Sequence, residues 1–92
     1  MSSLDISFDD IHSGVIVDIR NFTQYQMGHY PNAISIPEGD ILKNPSLYLN
    51  KSIIYYLYCN SGIRSKRCVN YLNSLGYHTV NILGGYQNYL LR

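Results

Sequence analysis

Four residues separate Cys59 and Arg64 in the run Tyr58-Cys59-Asn60-Ser61-Gly62-Ile63-Arg64-Ser65. A cation beside a thiol favours the thiolate, which is the form of cysteine that attacks. Gly62 supplies the positive φ or the close backbone approach that so short a loop requires. The hydroxyls of Ser61 and Ser65 either donate to the sulfur or cap the helix that follows. The backbone N–H groups of Asn60, Ser61, Gly62, Ile63 and Ser65 can converge on an anion whatever their side chains do. A lone cysteine is commonly a small buried hydrophobe, so position must decide its role.

The elements around the loop argue for chemistry. Ile53–Tyr58 is an unbroken apolar run ending at Cys59. Such a run suits a strand buried on both faces of a parallel sheet. Arg64 opens a helix through Leu75, with Cys68, Leu72 and Leu75 on one apolar stripe facing the sheet. Ligands of open α/β sheets bind beyond the carboxyl ends of the strands, where Cys59 falls. A sulfur there should ionise below the ordinary thiol pKa of about 8.5. Arg64 reads as a cation that closes the loop or orients an anionic substrate; the plainer reading is a solvated arginine paired with a carboxylate. Lys66 and Arg67 either rim the pocket or lie on a solvated helix face.

The remaining chain alternates strands and helices, which predicts a parallel sheet with helices on both faces. Strands are expected at Leu4–Phe8, Val15–Ile19, Ala33–Ile36, Ile53–Tyr58 and His78–Leu83. Asp9 or Asp10 is expected to cap a turn of helix through His12. Asn21 or Thr23 is expected to cap a short helix ending near Met27-Gly28. Glu38–Leu49 is helical, interrupted at Asn44-Pro45, and Tyr86–Leu91 is a last short helix after the Gly84-Gly85 turn.

With 92 residues, the chain is expected to be one domain over 1–92. Apolar content of 46% and charge of 14% fit a globular protein. The net charge of +1 gives no reason to expect nucleic acid or a membrane surface as partner. The opening MSSLDISFDD lacks a basic region followed by an apolar core, so no signal peptide is expected. Cys59 and Cys68 make neither a disulfide framework nor a metal site, which points to a reducing cytoplasm. No nucleotide-binding GxxxxGK[ST] is present.

Four stretches in order, VIVDIR (15–20), GHYPNAISIP (28–37), YCNSGIRS (58–65) and LGYHTVNILGGYQNY (75–89), resemble the rhodanese (sulfurtransferase) family over nearly the whole chain. The resemblance implies a five-stranded parallel sheet wrapped by helices. It also implies a persulfide on Cys59, loaded from a donor such as thiosulfate and passed to cyanide or a thiol. No cofactor and no metal is implied. The partners implied are a small anionic sulfur donor and a thiophilic acceptor, with a protein donor or acceptor as the further case. The resemblance makes Asp18 a structural acceptor at a strand end and His29 a support of its turn. Arg20 lines the pocket mouth or pairs with an acid. Cys68 belongs to the core.

Two competing functions share these residues. A phosphatase or arsenate reductase of related fold would carry five residues between Cys and Arg, where this chain has four. A non-enzymatic sulfur carrier or binding module is the other alternative. Asn60 stands where many thiosulfate-using relatives have Arg, which removes one cation from the anion site.

Overall fold

The computed structural model describes residues 5–91. Five strands, β1 (Asp5–Ile6), β2 (Val15–Asp18), β3 (Ile34–Ser35), β4 (Ile54–Tyr58) and β5 (His78–Ile82), form one parallel sheet in the order β1-β5-β4-β2-β3. The helices are α1 (Phe22–Met27), α2 (Glu38–Lys43), α3 (Pro45–Tyr48), α4 (Ile63–Ser74) and α5 (Gly85–Leu90).

The period of two along a strand divides the core between the two faces. Val17, Ile19, Tyr55, Leu57 and Cys59 pack with Ile41 of α2 and with Cys68, Val69 and Leu72 of α4. Ile16, Tyr56, Tyr58, Val80 and Ile82 face the other way, against Phe8, Tyr25 of α1, and Tyr86 and Tyr89 of α5. That second face is largely aromatic. Phe8 stacks on Tyr30 at 4.3 Å, and Tyr86 lies over Tyr58 at 6.1 Å, within the range of favourable ring pairs. Among the described residues no helix is long and apolar enough to cross a membrane.

The helices after β2 and β4 lie on opposite faces of the sheet, although those strands are neighbours. This is a topological switch point, where the loops part and leave a crevice at the carboxyl ends of the strands. The loop after Cys59 opens there, beside Ile19 and Arg20; the amide of Ile19 donates to the carbonyl of Tyr58 at 3.0 Å.

Local expectations met three corrections. Phe8 is not in a strand: it lies in a 3-10 turn over Phe8–Asp10, whose cap is Ser7 rather than Asp9 or Asp10. The Ser7 hydroxyl takes the Asp9 amide, so the chain turns earlier; Leu4 lies outside the described residues. Leu75 does not face the sheet and is 41% exposed. The inner stripe of α4 is Ser65, Cys68, Val69 and Leu72, and the helix ends at Ser74 as Gly76 turns the chain away at φ +96°. The helix itself begins at Ile63, one residue before Arg64.

Candidate active site

Cys59 directly follows β4 and is 2% exposed. Its sulfur lies 3.2 Å from the amide nitrogen of Gly62 and 3.4 Å from that of Ser65. The Ser65 Oγ is also 3.4 Å away. Burial opposes ionisation of the thiol. The Ser65 hydroxyl and the amides of Ser65, Gly62 and Ser61 outweigh it, and the Cys59 pKa falls below its ordinary value. The loop is therefore a ring of donors aimed at one sulfur.

The ring keeps its shape because glycine backbones pack against it. Gly62 adopts φ +93°, and a Cβ there would lie 3.2 Å from the Gly84 nitrogen. Gly85 approaches closer still: a Cβ there would collide with the carbonyl oxygen of Cys59. This approach lets the amides of Tyr86 and Gln87 donate to the carbonyls of Cys59 and Asn60 at 2.8 and 2.9 Å. With those carbonyls held outward, the next amides are left to face the sulfur. Gly85 is thus a site residue that the sequence showed only as half of a turn.

Ser65 is fully buried, and its partners extend away from the sulfur. Its Oγ is 2.6 Å from Asn81 Oδ1, while Asn81 Nδ2 donates to Asp5 Oδ1 at 3.2 Å. Lys66 pairs with the same carboxylate and, as the largest influence, holds the Asp5 pKa below its ordinary value. Asp5 fixes the Asn81 amide so that its oxygen points to Ser65. With Cys59 as a thiol, S–H donates to Ser65 Oγ and the hydroxyl donates to Asn81. On ionisation the sulfur can only accept, and the single Ser65 hydroxyl proton turns from Asn81 to it. Asn81 was not singled out in the sequence, although a polar residue in a buried strand is a signal that a partner exists.

Removing that hydroxyl should raise the thiol pKa. Ser65→Ala is expected to shift the pH midpoint of Cys59 alkylation upward, because a charge-assisted bond to the thiolate is lost. The linked stability has a definite sign. A depressed thiol pKa stabilises the fold above the unfolded value of about 8.5, and this is lost as pH falls through the folded value. Ser65→Ala should narrow that window. Iodoacetamide reactivity titrated against pH reads the first effect, and an unmoved midpoint would remove Ser65 from the cradle.

Behind the loop, Asp18, Arg20 and Tyr58 form one buried unit. Asp18 accepts from the Arg20 amide at 2.9 Å, from Nε at 3.0 and 3.1 Å, and from Nη2 at 2.7 Å. The Tyr58 hydroxyl donates to Asp18 at 2.8 Å and accepts from the Tyr30 amide at 3.0 Å. Burial pushes the Tyr58 phenol up, so it stays neutral. Burial opposes the Arg20 charge, but Asp18 more than offsets it. Arg20 reaches onward to the Gly28 carbonyl at 2.7 Å and to Asn60 Oδ1 at 3.3 Å. The Tyr86 ring lies 4.3 Å from its guanidinium carbon, in cation–π range. Asp18 and Arg20 thus buttress the loop without touching the sulfur.

Arg64 stands differently from the loop-closing cation expected of it. Its Nε and Nη2 both bond Glu38 Oε1, at 2.9 and 2.7 Å, and its side chain is half exposed. Glu38, directly after Pro37, carried no local signal of this pairing. His29 is exposed and stacks on Tyr25 at 3.8 Å; its Nδ1 donates to the Tyr25 carbonyl at 2.8 Å, so it braces the end of α1. Ser61 is exposed and its Oγ accepts from the Ile63 amide at 3.4 Å; Ile63 is exposed beside it. Cys68 is buried in the core, and burial first, with the nearby negative charges of Glu38 and Cys59, pushes its thiol up to about 12. A groove of about 400 Å³ lined by Ser61, Ile63, Lys66, Arg67 and Leu83 runs along the outer side of the loop.

The chain is similar to known proteins. The chain is 36% identical over 70 residues to the putative sulfurtransferase YtwF of Bacillus subtilis, covering 76% of this chain and 67% of that protein. It is 35% identical over 71 residues to the adenylyltransferase and sulfurtransferase uba4 of Ogataea parapolymorpha, covering 76% of this chain but only 18% of that protein. The crystal structure of a rhodanese-like domain protein from Staphylococcus aureus superposes with a TM-score of 0.76 at 34% identity, covering 95% of this chain and 89% of that one. The rhodanese-like domain family matches residues 5–91, and the chain belongs to that family.

Proposed function

We propose that residues 1–92 act as a single-domain sulfurtransferase that carries sulfane sulfur as a persulfide on Cys59. The observation that carries this reading is the ring of amides from Ser61, Gly62 and Ser65 closing on a buried sulfur whose pKa they lower. Four residues between Cys59 and Arg64 make that ring small, which suits one sulfur atom better than a phosphate. Similarity to YtwF and to part of uba4 supports the same chemistry.

The transfer takes two displacements. The Cys59 thiolate attacks the outer sulfur of a donor, forming an S–S bond. The donor's own bond to that sulfur breaks, and its electron pair leaves with sulfite or a thiolate. An acceptor, cyanide or a thiolate, then attacks the outer sulfur of the persulfide, and Cys59 departs as thiolate. No electrons enter from outside in either step. The loop amides that hold the thiolate also hold the persulfide anion, and by lowering the thiol pKa they ease its ionisation without a dedicated base. Two free thiols suit a reducing cytoplasm, which is the location we propose.

Intact mass after incubation with thiosulfate, and separately with polysulfide, tests the reading. A gain of about one sulfur atom, reversed by cyanide, is the result expected for covalent catalysis through a cysteine. No gain from either donor overturns the proposal.

A further inference from the structure

Three of the cations beside the loop are each bonded to a carboxylate, Arg20 to Asp18, Lys66 to Asp5 and Arg64 to Glu38, while Arg67, which lines the outer groove with Lys66, forms no ion pair among the described residues. At the residue after the sulfur, where another cation would meet an anion, stands Asn60, itself bonded to Arg20. The charge of Arg20, Lys66 and Arg64 is therefore largely spent inside the protein, and of the three Arg64 is the one whose own residue closes the C-x4-R loop.

Only one of these pairs is both beside the loop and readily exchanged. Arg20–Asp18 is buried, with side chains 5% and 0% exposed. Lys66–Asp5 lies at the far end of the chain of bonds through Asn81. Arg64–Glu38 has side chains 51% and 22% exposed, and solvent-screened pairs of this kind exchange partners readily. Glu38 is the main cause of the raised Arg64 pKa, and the Cys59 thiolate adds to it. Arg64 thus stands in the first turn of α4, at the end of the Cys59 loop, with both of its bonding nitrogens given to Glu38.

Sulfur donors differ in what they ask of Arg64. Thiosulfate arrives as a dianion and leaves sulfite, also a dianion: Cys–S⁻ + S–SO₃²⁻ gives Cys–S–S⁻ + SO₃²⁻. A thiol-borne persulfide brings at most one charge at the reacting end and leaves a thiolate: Cys–S⁻ + R–S–SH gives Cys–S–SH + R–S⁻. Coulomb energy scales with the donor's charge, so competition from Glu38 costs the dianion more.

We propose that Glu38 is a specificity-determining residue: by holding Arg64 it biases loading of Cys59 away from dianionic donors and toward thiol-borne persulfides. This rests on the sulfurtransferase reading. The test compares kcat/KM for loading from thiosulfate and from cysteine persulfide. Glu38→Gln is expected to raise the thiosulfate-to-persulfide ratio about three- to tenfold at low ionic strength, mainly through the thiosulfate KM. High salt should shrink the gain, and the double variant Glu38→Gln with Arg64→Gln should abolish it. A structural role for Glu38 would lower both donors together and leave the ratio flat. A flat ratio in a folded Glu38→Gln protein overturns the proposal, as does a gain that survives loss of Arg64. Glu38→Met, of similar length, serves if the glutamine variant does not fold. Wild type that loads from the persulfide while the variant's ratio stays flat overturns this inference alone. Wild type that loads from neither donor overturns the transferase reading and this inference with it.

Discussion

Cys59→Ser is expected to fold and to take up no sulfur. Serine keeps the side-chain geometry at a 2% exposed position, and its hydroxyl can accept from the amides of Gly62 and Ser65 as the sulfur does. Stability should change by no more than about 1–2 kcal/mol. The chemistry does not survive, because an alcohol is not appreciably ionised near neutral pH and an oxygen cannot carry the persulfide. Single-turnover loading followed by intact mass should fall at least about a thousandfold. The remaining thiol does not substitute: burial keeps Cys68 protonated, with its pKa pushed up to about 12. Loading at the wild-type rate in this variant would remove Cys59 from the mechanism.

The second large effect is on stability. Asp18→Asn should cost about 3–5 kcal/mol, the usual result of leaving one partner of a buried ion pair unmatched. The side chains of Asp18 and Arg20 are 0% and 5% exposed, so little water reaches the orphaned guanidinium. The amide is a poor replacement for a further reason. Both Asp18 oxygens receive donors, from the Arg20 amide and guanidinium and from the Tyr58 hydroxyl. The NH₂ of an asparagine side chain would face donors where an acceptor stood. For a domain of this size the melting temperature should fall by on the order of 20 °C. Denaturant unfolding followed by circular dichroism measures the loss. Adding Arg20→Met should recover part of it, since the buried charge is then gone. A cost below about 1 kcal/mol would mean the pair merely replaces interactions that water supplies.

The strand into Cys59, the loop and the helix after it were legible as sequence because each depends on near neighbours. An apolar run has few alternatives to a buried strand in a parallel sheet. Asn21 caps α1 through its own side chain to Gln24, a contact three residues long. The inner face of α4 was legible in part: the period found Cys68 and Leu72, but where the helix stops decided that Leu75 is exposed. The turn at Phe8 was expected too late because Ser7, two residues before Asp9, took the cap.

The order of residues alone dictates a thiol at the end of a buried strand, followed by a short loop with a glycine where the backbone must turn. It does not dictate which partners that thiol and its cations take; packing does. Arg64 meets Glu38 across 26 positions, Ser65 meets Asn81 across 16, and Tyr58 meets Asp18 across 40. Gly85 seats its backbone on the Cys59 carbonyl from the last helix. Spacing along the chain carries no record of such pairs. They arise when parallel strands distant in sequence are set side by side, and buried polar groups must then bond to whatever the packing has brought within reach.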